Sequence, residues 1–513
     1  DIDTTGDIRI IDSEINATHY RTSTIKLEGS EVLIQNSTIW SGARVETAGT
    51  YTYVTSCSYK PRQCAIANNY HRFTNVNLTL GANNLTIDNS VLKATSEVTS
   101  TAVAPNNYYY YREAWAWVDV DVEYDIEIQN SLILGLALNN GPYSGNNYQT
   151  TDDAYLGYDI TSQNLEVYNS ELKGKRVAGD AKGYLLATIE SGGGEVDIQE
   201  SGLGLDNSYG DFQIRETNYT LSITNSTLRT DIDACLDSYG CNTTYQNAEA
   251  FIDNSTVNSD IAIIQLSEVI VINSKISGAL AIYQTSDVLI FGNTEISGSL
   301  YVESTNVTIW NSKISGRLQA AIVNLNIHDV EKLGGISNWN GVCEYTSIDN
   351  VTFTNSILIV GTSIDFTNSS VSSSLQIYHK FVNMTNITIG GTLNIGSGTS
   401  TSLAYLNNVT VSSGQLEGSV QNLRLEDVHT TRGSGTLRVS NLWISNSTFE
   451  KTSGSTDNYY IYVSDMDNHD NPSTEDIYIY NSTIKFNTTS DSEYTFLFDI
   501  DTTGDIRIID SEI

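Results

Sequence analysis

Short runs of alternating apolar and polar residues return along most of the chain, usually followed by Asn-Ser. One nine-residue phrase appears as EVLIQNSTI at 31–39, DIEIQNSLI at 125–133, NVTIWNSKI at 306–314 and DIYIYNSTI at 476–484. Its second and fourth residues are apolar and share one face of a strand, because side chains alternate across a strand. The Asn-Ser is a turn signal, and the ninth residue is apolar again. Each phrase therefore predicts a strand, a corner and a second strand.

The phrases are closest together in the middle of the chain, where copies begin at Glu268, Asp287 and Asn306. One full turn of the chain is thus about 19 residues. Equivalent residues of successive turns are expected to stack about 4.8 Å apart as parallel strands. The chain has only four prolines, which fits a strand ladder that needs every backbone N–H. We expect an all-β parallel β-helix, or β-solenoid, of about 20 coils with loop insertions.

Within one turn, Val269, Ile276 and Leu280 fall in three separate apolar groups. Tight corners at Asn-Ser and Ser-Gly separate these groups, so the turn is predicted to have three walls with inward side chains on each. Val288 and Val307 are then expected to lie in the column of Val269.

This pattern resembles the right-handed parallel β-helix of the pectin-lyase-like superfamily, which includes polysaccharide lyases and hydrolases and many bacterial and archaeal surface proteins. The resemblance covers most of the chain and implies the fold but no particular activity. The pair Asp152-Asp153 resembles part of a hydrolase motif, but the Gly-His-Gly and Arg-Ile-Lys of the pectin-hydrolysing pattern are missing. We predict no catalytic residues. A polysaccharide-acting enzyme and a glycan-binding adhesin are the alternatives.

The fifteen residues DIDTTGDIRIIDSEI occur twice, at 1–15 and at 499–513. Structural repeats keep a pattern but let the letters drift, so identity without drift indicates recent copying. We expect one repeat unit at 1–498 and the start of the next at 499–513, with a local duplication as the alternative. The sequence has no initiator Met or signal peptide, which favours a piece from within a longer chain. The expected partners are further copies of the same chain, stacked head to tail.

The charge balance is strongly acidic, with 26 basic and 61 acidic residues and a net charge of −35. Such a surface repels nucleic acid and anionic membranes, so nucleic-acid partners are excluded. No run of about 18 apolar residues occurs, so no membrane span is expected in this segment. Hydrophobic residues make up 39% of the chain, enough for an apolar core.

The five cysteines include two close pairs. We predict local disulfides Cys57–Cys64 and Cys235–Cys241, because such short loops suit staples in an oxidising compartment. Free, partly buried thiols are the alternative. Cys343 is left over, as a free or an intermolecular thiol. The disulfides predict an extracellular or cell-surface protein.

The corner Asn is expected to have a structural role, because Asn tolerates left-handed backbone angles and its side chain can bond neighbouring coils. Several corner Asn residues are not followed by the acceptor pattern for N-linked glycans, so glycosylation would be a second use of some corners. The corners without this pattern are Asn130, Asn169, Asn273, Asn311 and Asn355.

N-linked glycans are expected at several Asn-x-Ser/Thr sequons, which run along nearly the whole chain. Asn84, Asn306 and Asn350 take the first place of a strand, which faces outward if the next residue faces inward. The candidate sites are Asn16, Asn36, Asn77, Asn84, Asn218, Asn225, Asn242, Asn254, Asn306, Asn350, Asn368, Asn383, Asn386, Asn408, Asn446, Asn481 and Asn487.

Four excursions interrupt the rhythm, at 50–75, 106–118, 139–154 and 457–476. Loops that leave a solenoid at its corners commonly carry its recognition surface. The stretch 106–118 reads NNYYYYREAWAWV, and its aromatic side chains would either stack on sugars or a neighbouring subunit, or fold onto the solenoid itself.

Oxygen ligands are densest at Asp465, Asp467 and Asp470, which form a candidate Ca²⁺ site. The run lacks the Gly and terminal Glu of an EF-hand, so a solvated acidic loop is the alternative. The aspartates around Gly504 have the same two interpretations, and no other cofactor is expected. The favoured function is structural: a glycosylated extracellular β-solenoid repeated in tandem as a surface fibre, sheath or stalk.

Overall fold

A computed structural model of the chain divides into two compact units, Asp1–Ile264 and Gln265–Ile513. The described residues form strands, turns and bends, and no helix occurs among them. The expected all-β class is therefore confirmed. The structure describes residues 1–47, 70–100, 110–140, 151–177, 185–191, 195–199, 202–206, 212–216, 220–229, 232–234, 249–258, 260–264, 267–338, 343–396, 401–430, 435–451, 459–463, 476–486, 496–500 and 502–513.

The first unit is built from strands β1 to β22. Their bounds are β1 Ile2–Asp3, β2 Ile8–Ile11, β3 Glu14–His19, β4 Thr22–Gln35, β5 Thr38–Thr47, β6 Tyr70–Asp88, β7 Val91–Ser100, β8 Tyr110–Gln129, β9 Leu132–Asn140, β10 Thr151–Ser162, β11 Asn164–Tyr168, β12 Glu171–Val177, β13 Leu185–Ser191, β14 Glu195–Gln199, β15 Gly202–Asp206, β16 Phe212–Glu216, β17 Thr220–Thr224, β18 Thr227–Arg229, β19 Ile232–Ala234, β20 Glu249–Asp253, β21 Thr256–Val257 and β22 Ile261–Ile264.

The second unit is built from strands β23 to β42. Their bounds are β23 Glu268–Ile272, β24 Lys275–Ile276, β25 Leu280–Phe291, β26 Glu295–Ile296, β27 Leu300–Trp310, β28 Lys313–Asn338, β29 Cys343–Phe353, β30 Ile357–Thr367, β31 Ser370–Val371, β32 Leu375–Ile389, β33 Leu393–Ile395, β34 Thr401–Val411, β35 Leu416–Thr430, β36 Gly435–Ser445, β37 Thr448–Lys451, β38 Tyr459–Val463, β39 Ile477–Tyr480, β40 Thr483–Phe486, β41 Phe496–Ile500 and β42 Ile506–Ile509.

In the first unit, strands pair in parallel with the equivalent strand of the next coil, as β4 does with β6 and β6 with β8. Ile34, Ile87, Ile128 and Val167 form one continuous column through β4, β6, β8 and β11. These side chains are at most 1% exposed, and full burial of such a side chain contributes about 1.5–3 kcal/mol. The corners of successive coils lie 53, 41 and 39 residues apart, yet the register is kept. The corner residues of successive coils therefore stay aligned although the coils differ in length.

Parts of three predicted excursions are strands of this stack. Tyr70 in β6 is the register partner of Tyr110 in β8, and Tyr111 is the partner of Thr151 in β10. The interpretation of 70–75 and 151–154 as loops is therefore wrong, whereas 110–118 follow the alternative in which the aromatic stretch folds onto the solenoid. Adjacent coils carry extensions of the same kind, so each extension finds a parallel partner in the next coil.

In the second unit, the expected short period produces three separate columns of buried side chains. Every member is at most 2% exposed, and each pairs in register with the residue one coil later. The predicted inward stack with parallel strands is confirmed for this region. The columns are Val269–Val288–Val307, Ile276–Ile296–Ile314 and Leu280–Leu300–Leu318.

The Ser-Gly corner of the short coils stacks backbone directly on backbone. Gly298 N–H donates to Gly278 O at 3.0 Å, and Gly316 N–H donates to Gly298 O at 3.1 Å. A Cβ at Gly316 would collide with the backbone oxygen of Gly298. Glycine is needed at this corner because the coils approach more closely than a side chain permits.

Candidate functional site: the corners and the repeated segment

The residue at the Asn-Ser corner takes a left-handed backbone conformation throughout the described chain. Asn36 has a φ of 49° and Asn169 a φ of 44°. Residues other than glycine rarely adopt this conformation, and Asn and Asp do so most readily. The corner residues are Asp12, Asn36, Asn89, Asn130, Asn169, Asn225, Asn254, Asn273, Asn293, Asn311, Asp329, Asn350, Asn368, Asn386, Asn408, Asp427, Asn446, Asn481 and Asp510.

The side chains of the corner residues form ladders within each unit. In the first unit, Asn89 Nδ2 donates to Asn36 Oδ1 at 2.8 Å, and Asn36 Nδ2 donates to Asp12 Oδ1 at 3.1 Å. In the second unit, Asn408 Nδ2 donates to Asn386 Oδ1 at 2.8 Å. In each of these bonds the amide of the later coil donates to the oxygen of the earlier coil, so the ladder has a direction.

The serine after the corner residue is buried and closes the corner from inside. Ser90 is 1% exposed, and its hydroxyl donates to Asp88 O at 2.7 Å. Ser90 Oγ also accepts the Ser37 N–H of the preceding coil at 3.0 Å. Ser131 does the same for the Ser90 N–H at 3.0 Å. The two residues of the Asn-Ser pair therefore have complementary roles. Asn adopts the left-handed conformation of the turn, and the Ser hydroxyl accepts the buried backbone N–H of the preceding coil.

A second kind of corner has a β-branched apolar residue in place of serine, and the sequence analysis missed it. In the coil of β29 the corner residue is Asn350, and Val351 behind it is 1% exposed. The predictions that Asn355 holds this corner and that Asn350 starts a strand are therefore wrong. Asp329, Asn386, Asn408 and Asp427 share the pattern. These corners could have been predicted from the sequence by an Asn or Asp followed by Val or Ile, about one coil length after the previous corner.

The described sequons fall into two structural groups. One group consists of exposed corner residues: Asn36, Asn225, Asn254, Asn350, Asn368, Asn386, Asn408, Asn446 and Asn481. The other lies within strands, with Asn16 and Asn306 exposed and Asn77, Asn84 and Asn383 half-buried. Asn218, Asn242 and Asn487 lie outside the described residues.

Asn84 and Asn306 were predicted at the first place of a strand, but they lie within β6 and β27, where each bonds the neighbouring coil. Asn306 Nδ2 donates to Asp287 Oδ1 at 2.8 Å, and Asn84 Nδ2 donates to Glu31 Oε1 at 2.8 Å. Leu85 and Val307, the residues that follow, are at most 1% exposed and face inward as predicted. Asn84 is nevertheless half-buried, because its neighbours on the wall flank it.

The two tryptophans of the predicted aromatic loop lie on the wall of the first unit. Trp115 and Trp117 occupy outward places of β8, with ring centroids 6.3 Å apart and planes 26° apart. Ala114, Ala116 and Val118 alternate with them and are fully buried. Both rings are half-buried, so this part of 106–118 folds onto the solenoid. Residues 106–109 lie outside the described chain.

A stack of aromatic and cationic side chains runs along the outer wall of the second unit. Arg424 lies 5.2 Å from the Tyr405 ring centroid and 5.5 Å from that of Trp443. Trp443 and Tyr478 have centroids 4.9 Å apart, and Arg507 lies 5.4 Å from the Tyr478 ring. Because Trp443 contacts Arg424 of the preceding coil and Tyr478 of the following coil, these side chains bind neighbouring coils to one another.

Cys343 is buried at the start of β29, with no exposed surface. It is in register with Gly361, which in turn is in register with His379. Its burial is inconsistent with the intermolecular bond considered from the sequence. The candidate disulfide residues Cys57, Cys64, Cys235 and Cys241 all lie outside the described part of the chain.

The candidate calcium ligands Asp465, Asp467 and Asp470 also lie outside the described residues. Asp501 is likewise outside, whereas Asp505 is exposed and pairs with Arg507 at 3.0 Å. Within the described ranges, no group of three His, Cys, Asp or Glu side chains could hold a metal ion.

The two copies of the fifteen-residue segment have the same local structure. Asp12 has a φ of 49° and Asp510 a φ of 51°. Gly6 N–H donates to Thr4 Oγ1 at 3.1 Å, and Gly504 N–H donates to Thr502 Oγ1 at 3.0 Å. Each copy thus forms the same turn, strand and corner.

The two copies are covered from opposite sides. In the first copy, β2 pairs with β4 of the following coil, with Ile8 beside Val32 and Ile10 beside Ile34. In the second copy, β42 pairs with β39 of the preceding coil. β39 belongs to the phrase DIYIYNSTI at 476–484.

No family model matches the chain, and neither a curated protein nor a solved structure matches it. None of the described residues belongs to a helix long and apolar enough to cross a membrane.

Proposed function

We propose that this chain is a structural protein: a right-handed parallel β-solenoid of the pectin-lyase-like kind, with about 20 coils per unit, repeated head to tail in an extracellular fibre, sheath or stalk. The observation that carries the proposal is the repeated segment. One fifteen-residue sequence takes one conformation in two places and stacks on parallel coils in both. A segment that pairs with a following coil in one place and with a preceding coil in the other fits the joint between two units of a continuous solenoid.

The outer surface supports a load-bearing role. Side chains on successive coils bond one another through amide ladders and through the stack from Tyr405 to Arg507. Such contacts join each coil to the next along the axis, which is the direction in which a fibre is stretched.

N-linked glycans are part of the proposal and fit the geometry of the exposed corner residues. An Asn side-chain amide has two N–H groups, and a ladder bond uses one of them. The other hydrogen is the one that a glycan linkage can replace. Asn36 and Asn481, which are both exposed and both in ladders, are the clearest candidates.

The repeat is tested with a two-period chain, in which residues 1–498 are followed by residues 1–513. We expect one continuous rod in electron micrographs, with an axial repeat on the order of 100 Å. Hydrogen exchange should show the internal copy of the segment protected along both edges of its strand. Two separate bodies joined by an unprotected internal copy would contradict the proposal.

The extracellular features are tested on protein from its natural source. Non-reducing peptide mass spectrometry should find Cys57–Cys64 and Cys235–Cys241, and glycopeptide analysis should find hexose-containing adducts at exposed corner residues. Labelling of intact cells with a membrane-impermeant reagent should reach the protein. Free thiols together with unmodified sequons would place the protein in a reducing compartment and remove the glycan coat.

A further inference from the structure

We propose that Asn311 is a site of spontaneous deamidation, and that a hydroxyl of the following coil protects Asn-Ser corners such as Asn89 from the same reaction. The two corners have the same residue pair and the same backbone conformation, but they have different neighbours in the next coil. The reaction converts Asn to Asp or isoaspartate and therefore changes the corner ladder. The inference is independent of whether the chain forms a fibre.

Deamidation of Asn uses the backbone nitrogen of the next residue as its nucleophile. This nitrogen loses its proton to base and attacks the side-chain Cγ, which forms an N–C bond and closes a succinimide ring while Nδ2 leaves as ammonia. Water then opens the ring and yields Asp or isoaspartate. A buried N–H that donates to an oxygen must break this bond before its nitrogen can react. The acceptor of the Ser N–H at each corner therefore influences how fast the corner Asn reacts.

Asn89 and Asn311 are matched in most of the features that govern this reaction. Their φ angles are 45° and 46°, and both residues are exposed. The backbone N–H of each Asn donates to the following coil, at 3.0 Å and 3.1 Å. Asn89 Nδ2 donates to Asn36 Oδ1 at 2.8 Å, and Asn311 Nδ2 donates to Asn293 Oδ1 at 3.3 Å. Because the ladder bond of Asn311 is the longer one, the test also needs variants that change only the acceptor of the Ser N–H.

At the Asn89 corner, a serine of the next coil accepts the N–H of the residue that would attack. Ser90 N–H donates to Ser131 Oγ at 3.0 Å, and Ser90 is buried. Five further corners of this kind have the equivalent bond at 3.0–3.1 Å. The donors are the N–H groups of Ser37, Ser131, Ser226, Ser447 and Ser482.

At the Asn311 corner, the next coil has valine in place of this serine. Trp310 is in register with His328, so Val330 takes the place that a serine has in the coils above. The side chain of Val330 is fully buried and has only carbon atoms. It therefore cannot accept the N–H of Ser312, and the Ser312 nitrogen can lose its proton without first breaking a bond of this kind.

Asn368 has the same arrangement in another coil of the second unit. Ser369 follows it, and Ile387 takes the equivalent place in the next coil, because Thr367 is in register with Thr385. Asn368 is exposed and has a φ of 49°. It also lies in a sequon, and a glycan on its Nδ2 would interfere with the reaction. The test chain is therefore produced without N-linked glycans, so that Asn368 provides a second measurement of the same effect.

Conversion at Asn311 would interrupt the ladder at a defined coil. An ionised Asp accepts hydrogen bonds but cannot donate one, so the bond to Asn293 Oδ1 would be lost. Isoaspartate would also lengthen the backbone through the corner and disturb the alignment of the two strands that it joins. Asn311 and Asn368 are thus the corners at which ageing of the protein is expected to interrupt the ladder.

The test follows deamidation in the full folded chain during incubation in mildly alkaline buffer. Peptide mass spectrometry after digestion in acid measures the converted fraction at each Asn. Asn311 and Asn368 should convert about two- to tenfold faster than Asn89, as expected from the net contribution of one hydrogen bond. The same incubation in urea measures the unfolded chain, in which the three Asn-Ser sites should react at similar rates. A difference of the same size in urea would assign it to the neighbouring sequence and overturn the proposal.

Substitution of Val330 separates the effect of the acceptor from that of the ladder bond. Val330→Thr keeps nearly the same shape and adds a hydroxyl, like that of Thr294, which accepts Ser274 N–H at 3.4 Å. This variant should slow the conversion of Asn311 about two- to tenfold. Val330→Ala removes carbon atoms without adding an acceptor and should not slow it.

The reciprocal change is made at the protected corner. Ser131→Ala removes the acceptor of Ser90 N–H and should accelerate the conversion of Asn89 about two- to tenfold. Asn36 should convert at an unchanged rate, because Ser37 N–H keeps Ser90 Oγ as its acceptor. Acceleration at both sites would show a general loosening of the coils and would contradict the proposed protection.

Circular dichroism establishes that each variant is folded before the rates are compared. Equal rates at Asn89 and Asn311 in the folded, unsubstituted chain would overturn the proposal without any variant. Conversion of Asn311 that is no slower in Val330→Thr than in Val330→Ala would overturn it as well.

Discussion

Acid should destabilise the second unit through one buried histidine. His379 in β32 is 1% exposed, and both of its ring nitrogens are buried. Its ring fills the space that a Cβ at Gly361 would occupy, between the coils of β30 and β32. Burial lowers the pKa of His379 from 6.5 to about 4, and the carbonyl of Ile359 offsets only part of this effect.

The sign and size of the effect follow from the two pKa values. The folded protein holds the ring neutral, whereas the unfolded chain binds a proton below pH 6.5. The contribution to stability is therefore complete above pH 6.5 and is lost as the pH falls toward about 4. Between pH 7.5 and pH 4.5 the loss is about 2.5 kcal/mol, at about 1.4 kcal/mol for each pH unit within the window.

The assay compares the chain with its His379→Leu variant in urea unfolding at pH 7.5, 6.0 and 4.5. The carboxylates titrate equally in both proteins, so the difference between their pH profiles isolates the histidine. Circular dichroism follows the overall transition, and hydrogen exchange of peptides from β32 follows local opening. We expect the variant to lose about 2.5 kcal/mol less than the unsubstituted chain over this range.

Parallel pH profiles for the two proteins would refute the reasoning. They would mean that the ring titrates at a similar pH in the folded and unfolded states, as it would if water reached it. NMR of ¹³C-labelled histidine provides a direct second measurement, because the signal of His379 should not titrate between pH 7.5 and pH 5.

Two pairs of substitutions test the corners, one pair at the buried Ser90 and one pair at glycines. Ser90→Ala should cost about 1–3 kcal/mol, because it leaves the buried Ser37 N–H without its acceptor; Ser90→Thr should cost less, since Thr294 fills this role in another coil. Gly316→Ala should cost about 1–3 kcal/mol by forcing two coils apart, whereas Gly6→Ala, whose Cβ would meet only Thr4 Oγ1 at 3.6 Å, should have little effect. Urea unfolding measures both pairs, and equal costs within a pair would contradict the assigned role.

The columns of the second unit could be predicted from the sequence because one short period fixes both the inward face and the neighbour. Val269, Val288 and Val307 lie one coil apart at a nearly constant spacing, and alternation places each of them inside. When every coil has a similar length, the alternation of residues predicts which side chains face inward, and the constant period predicts the residue of the next coil with which each one pairs.

The first unit was harder to predict because its coils differ in length. The pairing of Tyr70 with Tyr110 depends on two excursions of the same kind in successive coils, and nothing within either stretch identifies the partner. Burial of His379 was predictable, since Leu375 and Ile377 precede it on the same inward face. The corner at Asn350 could not be predicted from the Asn-Ser signal, because a buried Val follows Asn350 in place of Ser.

The repeated segment has Asp at its corner, where most coils have Asn. This difference limits the corner side chain of the segment to accepting hydrogen bonds from one neighbouring coil. An ionised Asp accepts hydrogen bonds but cannot donate one, so Asp510 cannot extend the ladder to Asn481, whose amide donates to Asn446 at 2.9 Å. Within the second unit, the amide of Asn350 and the indole of Trp310 hold the pKa of Asp329 below its usual value. The carboxylate of the segment is thus an acceptor for the following coil alone.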